Sequence, residues 1–221
     1  AGRYGSRRAR SSGQGRSIGK MSEDYESGVV GADGNILASE NSGGTWTRQN
    51  GIIDTDTVWA LSESPINITG NVTVASGATL TIEAGVEVKI DSGKGMLVEG
   101  ALVGLGTSGQ NIVFTSSQAS PAAGDWVYIK FTDGSVDAVF DGNGDYVSGS
   151  ILKYCQVMYG GGGGANGGVE IDNSAPYIDN SEFVYNQNRG IYASNPSDIK
   201  ITNNVIRNTD GGGIKIYQGG A

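Results

Sequence analysis

Ile178-Asp179-Asn180-Ser181-Glu182-Phe183-Val184-Tyr185 is answered 23 residues later by Ile201-Thr202-Asn203-Asn204-Val205-Ile206-Arg207-Asn208. Ile178 falls on Ile201, Asn180 on Asn203 and Phe183 on Ile206; further along, Gly190 meets Gly213 and Ile191 meets Ile214. A backward shift of 26 sets Leu152 on Ile178, Cys155 on Ser181, Val157 on Phe183 and Tyr159 on Tyr185. By Val169 and Ile191 the shift has fallen to 22, and the Gly160–Gly164 run accounts for the difference as an insertion. A period of this size means a solenoid. Leucine-rich repeats are excluded, because these units hold almost no Leu. Short β-rich segments, β-branched residues and Asn at corners describe a parallel β-helix, with three short strands per coil. The register makes specific demands. Ile178, Ile191, Ile201 and Ile214 should point inward, and Phe183 should stack on Ile206. Asn180 and Asn203 should stack at a turn with their amides bonded along the axis. Gly190 and Gly213 should supply corners of unusual φ.

The same logic extends toward the N-terminus. Val72-Thr73-Val74, Leu80-Thr81-Ile82 and Val86-Glu87-Val88-Lys89-Ile90 alternate apolar with polar, the period of half-buried strands, and Gly-containing turns separate them. The β-helix is therefore expected over residues 57–221. Residues 29–56 read as a hairpin segment, and residues 1–28 as a basic arm rich in Gly and Ser. Within the hairpin segment, Ser39-Glu40-Asn41-Ser42-Gly43-Gly44-Thr45-Trp46 resembles the Asp-box of sialidase-like propellers. The resemblance is carried by Ser39, Asn41, Gly43 and Trp46 and implies a structural hairpin tie. A single copy cannot build a propeller.

Composition narrows the chemistry. The chain has 221 residues, 38 of them Gly and 4 Pro, with hydrophobic content of 37%. No apolar run approaches the roughly 20 residues of a membrane span. The absence of His removes His-dependent bases, triads and His-ligated zinc. Cys155 is the one cysteine, so no internal disulfide can form. Arg3, Arg7, Arg8, Arg10, Arg16 and Lys20 stand in the first 20 residues without an acid; the rest of the chain sets 9 basic residues against all 23 acidic ones, a net −14. Such a body repels nucleic acid, whereas the arm, through these six residues, is the candidate interaction segment. No apolar leader is visible at the start, so a secreted form would be a processed one.

Asn71–Ile90, Gly124-Asp125-Trp126, Ser150–Cys155 and the coils from Pro176 to Ile216 resemble the right-handed parallel β-helix proteins of the pectate-lyase-like superfamily, over about residues 57–221. The resemblance implies an all-β solenoid. In that superfamily, lyases use acidic Ca²⁺ ligands with a basic proton acceptor, and hydrolases use clustered Asp, on the outer face of one strand ladder. The acids in reach are Asp125, Asp133, Asp137, Asp141, Asp145, Glu170, Asp172 and Asp179; the bases are Lys130, Arg189, Lys200, Arg207 and Lys215. None forms a family motif. Asp141-Gly142-Asn143-Gly144-Asp145 has a spacing that can bring Asp141, Asn143 and Asp145 around one Ca²⁺. It departs from the EF-hand pattern at Tyr146 and Leu152, and a plain turn needs the same residues. No other cofactor is expected.

The expected function is a non-enzymatic, extracellular or cell-surface subunit, structural or adhesive, that self-associates as a homo-oligomer or filament. A carbohydrate-active lyase or hydrolase is the alternative, and a phage tail or spike component of a virion the next. A polysaccharide is the expected ligand class if there is one. Two or three carboxylates with a Lys or Arg in a groove on one ladder would favour the enzyme. A final coil without a capping segment would leave a strand edge open to a neighbour.

Overall fold

The structure, a computed structural model, describes the backbone of residues 28–30, 36–41 and 44–46, and residues 47–219 in full. Arg3, Arg7, Arg8, Arg10, Arg16 and Lys20, with Gly43, lie outside the described residues. A right-handed parallel β-solenoid of about seven turns fills most of the chain. The one helical element among the described residues is the 3-10 turn Leu61–Glu63.

Each coil visits three faces. The first carries Glu87–Ile90, Ile112–Ser116, Cys155–Met158, Glu182–Val184 and Val205–Arg207. The second carries Met96–Val98, Ile129–Phe131, Gly167–Asp172, Arg189–Ser194 and Gly212–Tyr217. The third carries Thr57–Trp59, Thr79–Ile82, Ala101–Leu105, Ile151–Lys153, Tyr177–Asp179 and Ile201–Thr202. Ile66–Val74 spans the corner between the first two faces and pairs on both. Inward residues stack in columns. Ile66, Val88, Phe114, Val157, Phe183 and Ile206 form the first. Val72, Met96, Ile129, Val169, Ile191 and Ile214 form the second, and Trp59, Ile82, Gly104, Leu152, Ile178 and Ile201 the third. The alternation of apolar and polar residues along each strand therefore makes a continuous apolar core.

The register legible in the repeat is the register of the sheets. Ile178 and Ile191 are fully buried and Phe183 lies against Ile206. Ile201 and Ile206 are half-buried, and Ile214 is 45% exposed, because nothing among the described residues stacks on the last coil. Two details differ from the sequence reading. Asn180 and Asn203 do occupy corners, with φ of 48° and 55°; the Asn203 amide reaches one coil back along the axis to Asp179, whereas that of Asn180 donates to Asp179 within its own coil. Further coil-to-coil amides are those of Asn186, which bonds Val157 and Gly160, and of Asn204, which bonds Ile178 and Ser181. Gly190 lies in a strand and supplies no corner: a Cβ there would come within 2.7 Å of Ile206 and 2.9 Å of Phe183. It is Gly because the core leaves no room, not because of φ.

The Gly160–Gly164 insertion packs closely. The Trp126 ring lies against Gly160 and its indole N–H donates to the Met158 carbonyl at 2.8 Å. A Cβ on Gly162 would collide with the Gly124 carbonyl. At the other end, Ser39 pairs with Trp46 and Asn41 with Gly44 in an antiparallel hairpin. Its second strand, Gly44–Ile53, continues into the solenoid and pairs in parallel from Thr47, opposite Ile66. The hairpin and the first coil thus share a strand, and the segment read as 29–56 runs into the β-helix.

Cys155 is buried beneath Ser181 and the carbonyls of Gly104 and Lys153. Burial pushes its thiol up to about 12. Only a thiolate attacks a disulfide reagent, so the native protein should react with Ellman's reagent no faster than its coils open. Rapid labelling of the native state would contradict this packing.

Candidate functional site

The outer side of the second face bears the ladder Leu97, Lys130, Glu170, Tyr192 and Lys215. Beside it stand Asp172, Ser194 and Tyr217 in register. Outward placement follows from alternation, since Val169 and Ile171 point inward and leave Glu170 and Asp172 outside. Lys130, Asn166, Glu170, Asp172, Tyr192 and Ser194 line a small open groove. Lys130 sits 3.8 Å from Glu170 and 3.5 Å from Asp172. Glu170 is buried and accepts the backbone and side-chain N–H groups of Asn166, while Arg189 donates to the Asn166 carbonyl. Of the acids expected to matter, this groove brings together Glu170 and Asp172; of the bases, Lys130.

The remaining candidates serve elsewhere. Asp125 accepts from Ser116 and the Ala122 N–H and so closes the loop after the first face. Asp133 lies exposed in a turn. Asp137 accepts the Ala175 N–H at 2.7 Å and fastens the insertion between Phe131 and Ile151 to the next coil. That insertion carries a hairpin of Val139–Phe140 and Tyr146–Ser148, whose tip is Asp141–Asp145. Asp141 spends one carboxylate oxygen on the N–H groups of Asn143 and Asp145, each at 2.9 Å. These bonds, first that from Asp145, hold its carboxyl below the usual carboxylate range. The loop is closed by its own backbone, and among the described residues no group of three His, Cys, Asp or Glu is placed to hold a metal. Lys200 lies over the Phe140 ring, which packs edge-on against Tyr177. Arg207 is 2.7 Å from Glu182. Asp179 is buried on the third face among Lys153, Asn180, Thr202 and Asn203. Two triplets have the Asn-x-Thr pattern of glycosylation acceptors: Asn67-Ile68-Thr69 holds a buried Asn and Asn71-Val72-Thr73 an exposed one that accepts the Gly95 N–H.

Sequence reasoning missed Lys153, Asn166 and Tyr192. Register alone could have found Tyr192, which stands one coil after Glu170. Asn166 reaches Glu170 only because of the local turn, a contact that no periodicity encodes.

Comparison with family models matches residues 67–221 to the right-handed β-helix region. No curated protein matches the chain, and no solved structure matches it. No helix among the described residues is long and apolar enough to cross a membrane.

Proposed function

The chain belongs to the right-handed β-helix family, and from that premise we propose that it is a non-catalytic, extracellular structural or adhesive module that associates with copies of itself. One observation carries the non-catalytic part. The groove on the second face holds its charged groups in mutual pairs: Lys130 between Glu170 and Asp172, and Glu170 bound by Asn166. A general base must accept a proton and a general acid must release one toward substrate. Groups paired in this way are arranged to hold neighbouring coils together.

Association is supported by the split in charge between a basic arm and an acidic body. Opposite charges on two parts of one chain favour head-to-tail contact, which gives rings or filaments. Surface ion pairs contribute only about 0–1 kcal/mol each, so the arm should tune assembly and not drive it. Light scattering across a salt series should show oligomers whose salt sensitivity falls when residues 1–20 are deleted. A monomer with and without the arm, at every salt concentration, would end the assembly reading.

The second reading, a polysaccharide lyase or hydrolase, is favoured by the same groove, because two carboxylates and a lysine do meet on one ladder. It requires the pairs to open when substrate binds. It predicts cleavage that disappears with Asp172→Asn.

A further inference from the structure

At the corner that follows the first face, the stacked positions are Ser116, Tyr159, Tyr185 and Asn208, as the pairs Phe114–Val157, Met158–Val184 and Val184–Arg207 fix. Tyr159, Tyr185 and Asn208 have φ of 65°, 56° and 55°. Asn takes this left-handed conformation readily, whereas a bulky residue there is an outlier. The neighbouring corner shows that the scaffold does not demand an aromatic: Tyr154, Asn180 and Asn203 hold φ of 50°, 48° and 55° in successive coils. Two tyrosines in adjacent coils are therefore kept at a conformational cost, and packing does not explain the outer one, which is 43% exposed.

The rings of Tyr159 and Tyr185 are stacked, with centroids 5.7 Å apart and planes 10° from parallel. Tyr159 covers one face of Tyr185. The next position in the column is the short Asn208, which leaves the Tyr185 ring accessible. Beside it runs a fixed polar network. Glu182 accepts from Arg207 at 2.7 and 2.8 Å through one oxygen and from Gln156 at 3.1 Å through the other. Arg207 interacts with Glu182 foremost and also with Tyr185.

We propose that this tyrosine ledge, with Glu182, Arg207 and Gln156, is a binding site for a neutral saccharide. A pyranose presents an axial face of C–H groups that stacks on an aromatic ring, and equatorial hydroxyls that both donate and accept. The ledge offers the matching set: an accessible ring face, then a carboxylate, a guanidinium and an amide held in place by one another. The Glu182–Arg207 pair is neutral in sum, and the chain's net charge of −8 disfavours acidic polymers and nucleic acid. The ledge lies on the first face, apart from the groove on the second. It deepens the adhesive reading by naming the ligand class, and the site stands whether or not the chain self-associates.

The test is affinity electrophoresis of the full chain through gels containing β-1,4-glucan, β-1,4-xylan or β-1,4-mannan, with polygalacturonate as the acidic comparison. At least one neutral polymer should retard the protein. Tyr185→Asn should weaken that binding at least tenfold while leaving the thermal midpoint unchanged or raised, because Asn suits the corner. Tyr185→Phe should retain affinity within threefold, and Tyr192→Asn, in the groove, should have no effect. The proposal is overturned if no neutral polymer binds, if Tyr185→Asn binds like the parent, if Tyr185→Asn fails to fold, or if only Tyr192→Asn abolishes binding. Loss of binding without change in light scattering would separate this site from assembly.

Discussion

Ile191→Asp should abolish the folded solenoid. Ile191 is fully buried, stacked between Val169 and Ile214 on the second face. A carboxylate there would have no counter-ion and no hydrogen-bond donor in its column. Burying an uncompensated charge costs several kcal/mol even after relaxation, a large share of the roughly 5–15 kcal/mol that holds a typical domain together. A solenoid transmits the loss to its neighbours, since each coil contacts chiefly the coils on either side. Circular dichroism should show lost β-structure, or thermal melting should show a midpoint lowered by tens of degrees. Unchanged melting would sink the register.

Asp179→Ala should produce the next largest loss. The Asp179 carboxylate is buried and binds Thr202 at 2.7 Å, Asn203 at 3.0 Å, Asn180 at 2.7 Å and Lys153 at 3.3 Å. It joins three consecutive coils through these contacts. Removing it deletes the charged acceptor that ties these coils, and hydrogen bonds to charged groups contribute about 1.5–3 kcal/mol. The same residue gives the fold a pH dependence. Burial alone would raise its pKa, but the bonds from Thr202, Asn203, Asn180 and Lys153 outweigh burial and hold it at about 2, against an ordinary 3.8. The folded pKa is the lower, so its stabilisation is fully present above about pH 4 and is lost as pH falls from there through 2. The linked contribution is about 2 kcal/mol. Urea midpoints between pH 5 and pH 2 should fall less steeply in Asp179→Asn than in the parent, and equal slopes would refute this role for Asp179.

The repeat made the fold legible because the core is periodic. Ile178, Phe183 and Ile191 recur in the next coil as Ile201, Ile206 and Ile214, and each pair is a backbone ladder partner. Stacking converts sequence spacing directly into contact. The candidate site was less legible, because its partners come from unequal insertions. Lys130 meets Glu170 and Asp172 across 40 and 42 residues of chain, a separation that includes the insertion after Phe131 and the Gly160–Gly164 run. Corner chemistry misled in a different way. Gly190 suggested a turn by its residue type, yet it is small to clear Ile206, and the corners went to Asn and Tyr. Residue type alone does not separate a glycine needed for φ from one needed for space.

On the proposed function, the ionic groups of the groove bind the coils together and transform no substrate. Its most direct test incubates the protein with a panel of neutral and uronic-acid polysaccharides and follows new reducing ends and unsaturated products over time. The account predicts no product above background from the parent or from Asp172→Asn. Reproducible cleavage by the parent that vanishes in Asp172→Asn, while the fold of that variant is intact, would contradict it.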